Sequence, residues 1–280
     1  MRPLIFLLLC LAAGAARGDA PVTIFAAGDI ADCDSDGAAR TGSLLAGHSG
    51  PILALGDLAY PRGSSDEFRR CFDPVWGRFK GRIVPVPGNH EYGTPDAAGY
   101  FEYFGASAGN PGEGWHSRAI GAWRIIGLNS NLVGAAAAAQ LRWLDAELAA
   151  NRQPCTLAFF HHPRFSSGKH GNQDAMDAVW RLLAGGRATL VLAGHDHHYE
   201  RFAPRDADGR ADPNGTRSFV VGTGGARLYQ VPPARAPSEF TANQSWGVLK
   251  LELSRDGYRW EFQPVESGAP ADQGTGRCQR

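Results

Sequence analysis

Residues 51–60 read Pro51-Ile52-Leu53-Ala54-Leu55-Gly56-Asp57-Leu58-Ala59-Tyr60: an apolar run, a glycine, then an acid with a tyrosine three residues on. A run this short, apolar without alternation and closed by a turn residue, predicts a strand buried on both faces. The same arrangement recurs on either side, as VTIFAAGD at 22–29, RIVPVPGNH at 82–90, TLAFFHH at 156–162 and ATLVLAGHDH at 188–197. Side chains that ligate metals stand where each run gives out: Asp29; Asp57 and Tyr60; Asn89 and His90; His161 and His162; His195 and His197. Strands that end together in a parallel sheet put their C-terminal loops on one rim, where open α/β sheets bind ligands. Two Asp, one Asn, one Tyr and three His on such a rim form a hard oxygen-and-nitrogen donor set. That set suits two cations better than one and points to hydrolysis.

Between these strands the pattern predicts helices over 37–48, 65–79, 135–151 and 172–184, with a short aromatic helix or lid at 99–105. Leu141, Leu144 and Leu148 recur at helical spacing in the third of them. Strands alternating with helices predict a layered α/β fold. A further buried strand is expected at 123–130, another from Arg217, and a closing hairpin around Asp256-Gly257. The Gly-rich tract at 106–116 reads as a surface loop. Residues 267–280, polar and rich in Gly, read as a frayed, flexible tail.

With 28 basic and 28 acidic residues in 280, the chain fits one large domain and offers no nucleic-acid surface. Attraction for anions must then come from a local site. The first 20 residues, MRPLIFLLLCLAAGAARGDA, carry Arg2, an apolar stretch from Leu4 to Ala13, and small residues, as a secretory signal peptide does. The expected address is secreted or periplasmic, with no membrane attachment after cleavage, and the catalytic domain is expected at 21–266. Removing the peptide leaves Cys33, Cys71, Cys155 and Cys278. An oxidising compartment favours a Cys33–Cys71 bridge clamping two loops of the site, with free buried thiols as the alternative.

Each cluster has its own chemistry. Asp57 and Tyr60 can reach one cation from a tight turn, and phenolate ligation favours a trivalent ion. Asn89 offers a neutral oxygen; its neighbour His90 is expected to face substrate, oriented by Glu91. His195 and His197 alternate along an extended segment, so Asp196 between them should face away. Of His161 and His162, one imidazole should point to the rim and its neighbour away from it. His170 lies in a mobile-looking loop, Ser166-Ser167-Gly168-Lys169-His170-Gly171. Seven of the nine histidines fall in GNHE, HHPRFSSGKHG and GHDHHYER, a bunching that core histidines would not show.

In order, GDIAD, GDLAY, GNHE, HHPRFSSGKHG and GHDHHYER resemble the motifs of the calcineurin-like metallophosphoesterases, and the Tyr of GDLAY those of the purple acid phosphatase-like branch. The resemblance spans about 22–262. It implies a layered β-sandwich of two mixed sheets flanked by helices. It implies Asp29, Tyr60 and His197 as ligands of an Fe(III), and Asn89, His161 and His195 as ligands of Fe(II), Zn(II) or Mn(II), with Asp57 as the bridge. His90 and His170 occupy the positions for phosphate contact and leaving-group protonation. GDIA departs mildly from the first motif, and the long N-terminal β-domain of large plant-type members is absent. The expected activity is phosphate-monoester hydrolysis by in-line attack of a metal-bound hydroxide, with a small phosphate ester as substrate and His90 favoured as general acid. The alternatives are a phosphodiesterase or nucleotide-cleaving enzyme on the same centre, with Arg164, Lys169 and Arg227 as candidate extra cations, and an inactive metal-binding module presenting Trp115, Trp123 and Tyr103.

Overall fold

The computed structural model describes residues 20–231 and 238–279; the expected signal peptide lies outside the described residues, apart from Ala20. Thirteen strands form two sheets. They are β1 (Val22–Ala27), β2 (Ile52–Leu55), β3 (Ile83–Val86), β4 (His116–Ile120), β5 (Trp123–Gly127), β6 (Cys155–Phe159), β7 (Leu190–Ala193), β8 (Tyr199–Phe202), β9 (Arg217–Val221), β10 (Ser238–Ala242), β11 (Gly247–Leu253), β12 (Gly257–Pro264) and β13 (Asp272–Arg277). One sheet runs β13-β12-β11-β1-β2-β3 and the other β10-β8-β9-β7-β6-β5-β4. The strands β1, β2 and β3 pair in parallel, as do β5, β6, β7 and β9; β4, β8, β10, β11, β12 and β13 join antiparallel.

The unbroken apolar runs follow from this layering. Along β1, Ile24 and Ala26 enter the core between the sheets, while Phe25 and Ala27 pack outward with Phe68, Phe72 and Trp76. On the other sheet, Leu157 and Phe159 face inward and Ala158 and Phe160 meet Leu144, Trp180 and Leu183 of the helices Gly134–Ala150 and Asp177–Gly185. A strand covered on both faces has no position left for a polar residue until its end.

Two expectations need correction. The five motif strands do not share one sheet: β1 to β3 belong to one, and β6 and β7 to the other. The rim is therefore the edge of a sandwich, with ligands arriving from both layers. The C-terminal residues also do not fray. Asp272–Arg277 pairs with Gly257–Phe262 of β12, and Cys278 bridges to Cys155. Its glycines permit this, because a Cβ on Gly274 or Gly276 would stand 2.3 Å from the cross-strand ring of Trp260 or Tyr258. The glycines are the space those aromatics fill. Three short strands, β4, β8 and β10, were not legible in the sequence. The expected Cys33–Cys71 bridge is present, tying the loop after β1 to a π-turn at Phe68–Phe72.

His116 of β4 reaches across to the other sheet, donating from Nε2 to the carbonyl of Pro85 at 2.9 Å. Its Nδ1 is buried without a partner, and burial pushes the ring down to about 4. The folded state thus binds fewer protons than the unfolded chain between pH 6.5 and about 4. Stability is full above that window and is lost as pH falls through it, by up to about 3 kcal/mol. Unfolding free energies measured from pH 7 to pH 4 should show this slope in the native protein and a flatter one in His116→Gln; equal slopes would remove His116 as the source.

Candidate metal centre

Three of the expected ligands, Asp29, Asp57 and His195, hold left-handed backbone conformations, with φ of 59°, 51° and 73°. Non-glycine residues adopt this region at a cost and cluster where function demands it. Each follows a glycine that ends its strand, and the glycines themselves are crowded. A Cβ on Gly88 would lie 2.1 Å from Asp57 Oδ1, and one on Gly194 would lie 2.7 Å from Asp29 Oδ2. The loops can close on one another only because nothing projects between them.

The backbone then leaves one oxygen of each aspartate for the centre. Asp29 Oδ2 accepts from the His195 N–H at 2.8 Å, and Asp57 Oδ1 from the His90 N–H at 2.8 Å. His161 Nδ1 donates to the Leu55 carbonyl at 2.9 Å and His197 Nδ1 to that of Arg227 at 2.7 Å, so both present Nε2 inward. Such outer hydrogen bonds fix the tautomer and orientation of a ligating imidazole.

All seven expected ligands converge, in two groups. The Tyr60 hydroxyl stands 3.1 Å from Asp29 Oδ1, 3.1 Å from His197 Nε2 and 3.4 Å from Asp57 Oδ2. His161 Nε2 stands 3.1 Å from Asn89 Oδ1, 3.1 Å from Asp57 Oδ2 and 3.2 Å from His195 Nδ1. Each focus is one polar atom ringed by three potential acceptors, with a single proton to share among them. Donors bound about 2.0–2.2 Å from a cation stand roughly 2.9–3.5 Å from each other, which is the spacing found. The donor set fits one cation in each group, and Asp57 Oδ2 belongs to both.

Electrostatics agree. Burial alone would raise Asp57, but the His161 imidazole overrides it and holds the carboxyl well below the usual range. Burial likewise opposes the charge on His161, yet Asp57 and Asp29 push it up to about 9. Burial and the neighbouring His161 push His195 down to about 2 and His162 down to about 3. Tyr60 is driven well above 10 by burial and by Asp29 and Asp57. The pocket thus holds an ionised Asp57, neutral His162 and His195 rings, and a proton on His161 that a cation would displace.

The two expected substrate-facing histidines flank the foci. The His90 ring lies 4.3 Å from that of Tyr60, its Nδ1 donating to the Pro61 carbonyl at 2.6 Å and its Nε2 3.8 Å from Asp57 Oδ2. The His170 ring lies 4.4 Å from that of His195. Two expectations about neighbours fail. Glu91 does not orient the His90 ring; it is fully buried and accepts the backbone N–H groups of Asp57, Leu58, Ala59 and Gly88. His162 does not point away from the rim: its ring sits 4.4 Å from that of His195 and its Nδ1 2.8 Å from Ser130 Oγ. Tyr229, unmarked by any motif, stacks on His197 at 4.0 Å and 10°. Arg164 is engaged with Asp174 and Asp177, and Trp123 is buried, donating to the Ser254 carbonyl, so neither serves as proposed in the alternatives.

Residues 15–199 match the family model described as calcineurin-like phosphoesterase. The chain is similar to purple acid phosphatase 21 of Arabidopsis thaliana, at 27% identity over 90% of this chain and 62% of that protein. It is similar also to a protein of that plant named probable inactive purple acid phosphatase 1, at 20% identity over 80% of this chain and 42% of that one. Its fold superposes on purple acid phosphatase PPD1 from yellow lupin (Lupinus luteus) seeds with a TM-score of 0.80, at 19% identity, covering 91% of this chain and 53% of that one. The chain therefore spans less than two thirds of the length of each of these relatives. With the matched model covering well over half of its residues, the chain belongs to the calcineurin-like phosphoesterase family, on the purple acid phosphatase-like branch.

Proposed function

We propose that this chain is a secreted binuclear-metal phosphatase acting on small phosphate monoesters. Asp29, Tyr60 and His197 would hold one cation and Asn89, His161 and His195 the other, with Asp57 available to both and Fe(III) beside Fe(II), Zn(II) or Mn(II) as the pair. The observation that carries this reading is Asp57 Oδ2, which lies within 3.4 Å of the focal atom of both donor groups. Two ions held so close lower the pKa of a bound water toward about 7 and stabilise the attacking and leaving oxygens of an in-line displacement.

The chain's own residues do the rest. Asp57 keeps the two sites adjacent. His90, its Nδ1 held by the Pro61 carbonyl, presents Nε2 toward the centre, placed to deliver a proton to the leaving oxygen. His170 flanks the opposite focus, against His195. Tyr60, whose hydroxyl resists ionisation in the cation-free pocket, gives up its proton only to an ion of high charge.

Metal analysis with a visible spectrum, run beside parallel turnover of an aryl phosphate monoester and the matching diester, tests this. Two ions per chain, a violet tyrosinate-to-iron band and faster monoester cleavage are expected. Faster diester cleavage would favour the phosphodiesterase reading, and two bound ions without turnover of either ester would favour an inactive module.

A further inference from the structure

The segment after β7 alternates in its allegiance. His195 and His197 face the donor groups, while Asp196 between them turns the other way and is fully buried. Its carboxylate closes on the loop that carries His170. Oδ1 accepts the backbone N–H of His170 at 2.8 Å; Oδ2 accepts the N–H of Gly171 at 3.2 Å and the hydroxyl of Ser166 at 2.5 Å. Ser166 Oγ in turn accepts the N–H of Gly168 at 2.9 Å. The fit leaves no slack, since a Cβ on Gly168 would stand 2.4 Å from Asp196 Cγ. One residue beyond His197, His198 pairs with Glu200 at 3.0 Å, and Glu200 accepts the N–H of Ser167 at 2.8 Å. Four of these bonds join the 166–171 loop to the segment from Asp196 to Glu200.

An anionic acceptor with three converging donors gives strong, directional bonds, the more so out of water. Four of the loop's six residues, Ser166, Ser167, His170 and Gly171, are thus bonded directly to Asp196 or Glu200. A glycine-flanked loop that reads as mobile in the sequence is in this way registered to the metal centre. We propose that Asp196 is the positioning residue for His170: it fixes where that imidazole stands relative to the ligands on either side of Asp196 itself. The proposal rests on the phosphatase reading for its kinetic consequence but not for its structural one.

Asp196→Asn retains size and puts an amide NH2 among three donors. Outer partners of this kind are worth roughly 10- to 100-fold in activity. On aryl and alkyl phosphate monoesters, Asp196→Asn should reproduce the split between kcat and KM shown by His170→Ala. The double variant should be no worse than His170→Ala alone, because the effect passes through one side chain. Multiplying losses would mark a merely structural role and overturn the proposal.

A second measurement is independent of turnover. Amide hydrogen exchange at His170 and Gly171 should accelerate at least about tenfold in Asp196→Asn, with the amides of Asp57 to Ala59 unchanged. Ser166→Ala, which removes one of the three bonds, should shift the same amides less and decides the matter if Asp196→Asn does not fold. Unchanged exchange at both amides in the variant that folds overturns the anchor. Absence of turnover in the native protein, with exchange behaving as described, would instead sink the phosphatase reading and leave the anchor standing.

Discussion

Asp57→Asn is expected to strip the centre of at least one of its two ions and to lower phosphoester turnover by on the order of 10³-fold, beyond the 10- to 100-fold that losing an outer partner costs. The reason is the position of one atom. Asp57 Oδ2 sits 3.4 Å from the Tyr60 hydroxyl and 3.1 Å from His161 Nε2, so it is a carboxylate oxygen common to both donor groups. An amide there keeps the shape but brings no charge and at best one oxygen. Metal content per chain, measured after dialysis, should fall from two to one or none. A cation-free control separates metal loss from misfolding. In the native chain Asp57 raises His161 to about 9. His161 thereby contributes stability fully present below pH 6.5 and lost as pH rises through about 9, while the share of the Asp57 carboxylate is lost instead as pH falls below 3.8. In Asp57→Asn the dependence should vanish while the protein still melts cooperatively. Retention of two tightly held ions by the variant would refute the shared-oxygen arrangement.

Glu91→Ala should prevent the chain from folding to a stable state at all. The Glu91 carboxylate is the acceptor for four backbone N–H groups, at 2.7 to 3.2 Å, with Oε1 serving Leu58 and Ala59 and Oε2 serving Asp57 and Gly88. A buried donor left without a partner costs about 1–3 kcal/mol. Four of them approach the roughly 5–15 kcal/mol that holds a typical domain together. Burial and the Asp57 charge already push Glu91 up to about 7, against the pull of the Gly88, Leu58 and Ala59 amides. Glu91→Gln is the informative partner. In either orientation its NH2 faces two N–H groups, so it should fold but melt several degrees lower, with weakened cation binding because the turns carrying Asp57 and Asn89 lose their common tie. Thermal melts of the cation-free proteins check this; a Glu91→Ala protein as stable as the native chain would show that those amides find other partners.

Much of the centre was legible before any coordinates. Gly-Asp, Gly-Asn-His and Gly-His-Asp-His after buried runs mark chain ends of strands, because an apolar run covered on both faces turns polar only where it emerges. Residue type at those exits supplies the candidate donors, the resemblance selects seven of them, and the side chains of all seven converge. The roles of the neighbours were not legible. Glu91 reads as a partner for the ring next to it, but its length lets it fold back onto the backbone of a loop more than thirty residues earlier, and backbone donors carry no signature in a sequence. His162 reads as facing away from its neighbour, as in an extended strand. The segment leaves β6 at Phe159, however, and beyond a strand end the alternation no longer binds.

The sequence by itself determined the donor set, its order along the chain, the strand-to-loop punctuation that delivers it, and the expectation of a bridge between Cys33 and Cys71. Tertiary structure alone decided which motif strands fall in each of the two sheets, which oxygen of Asp57 stands at the junction of the donor groups, that Asp196 anchors the His170 loop, and that a glycine-rich C-terminus completes a sheet against Trp260 and Tyr258. Periodicity reports which face of a strand a residue occupies, a property of the local chain. Which atoms meet across the sandwich depends on packing between segments tens to hundreds of residues apart, and no local pattern encodes that.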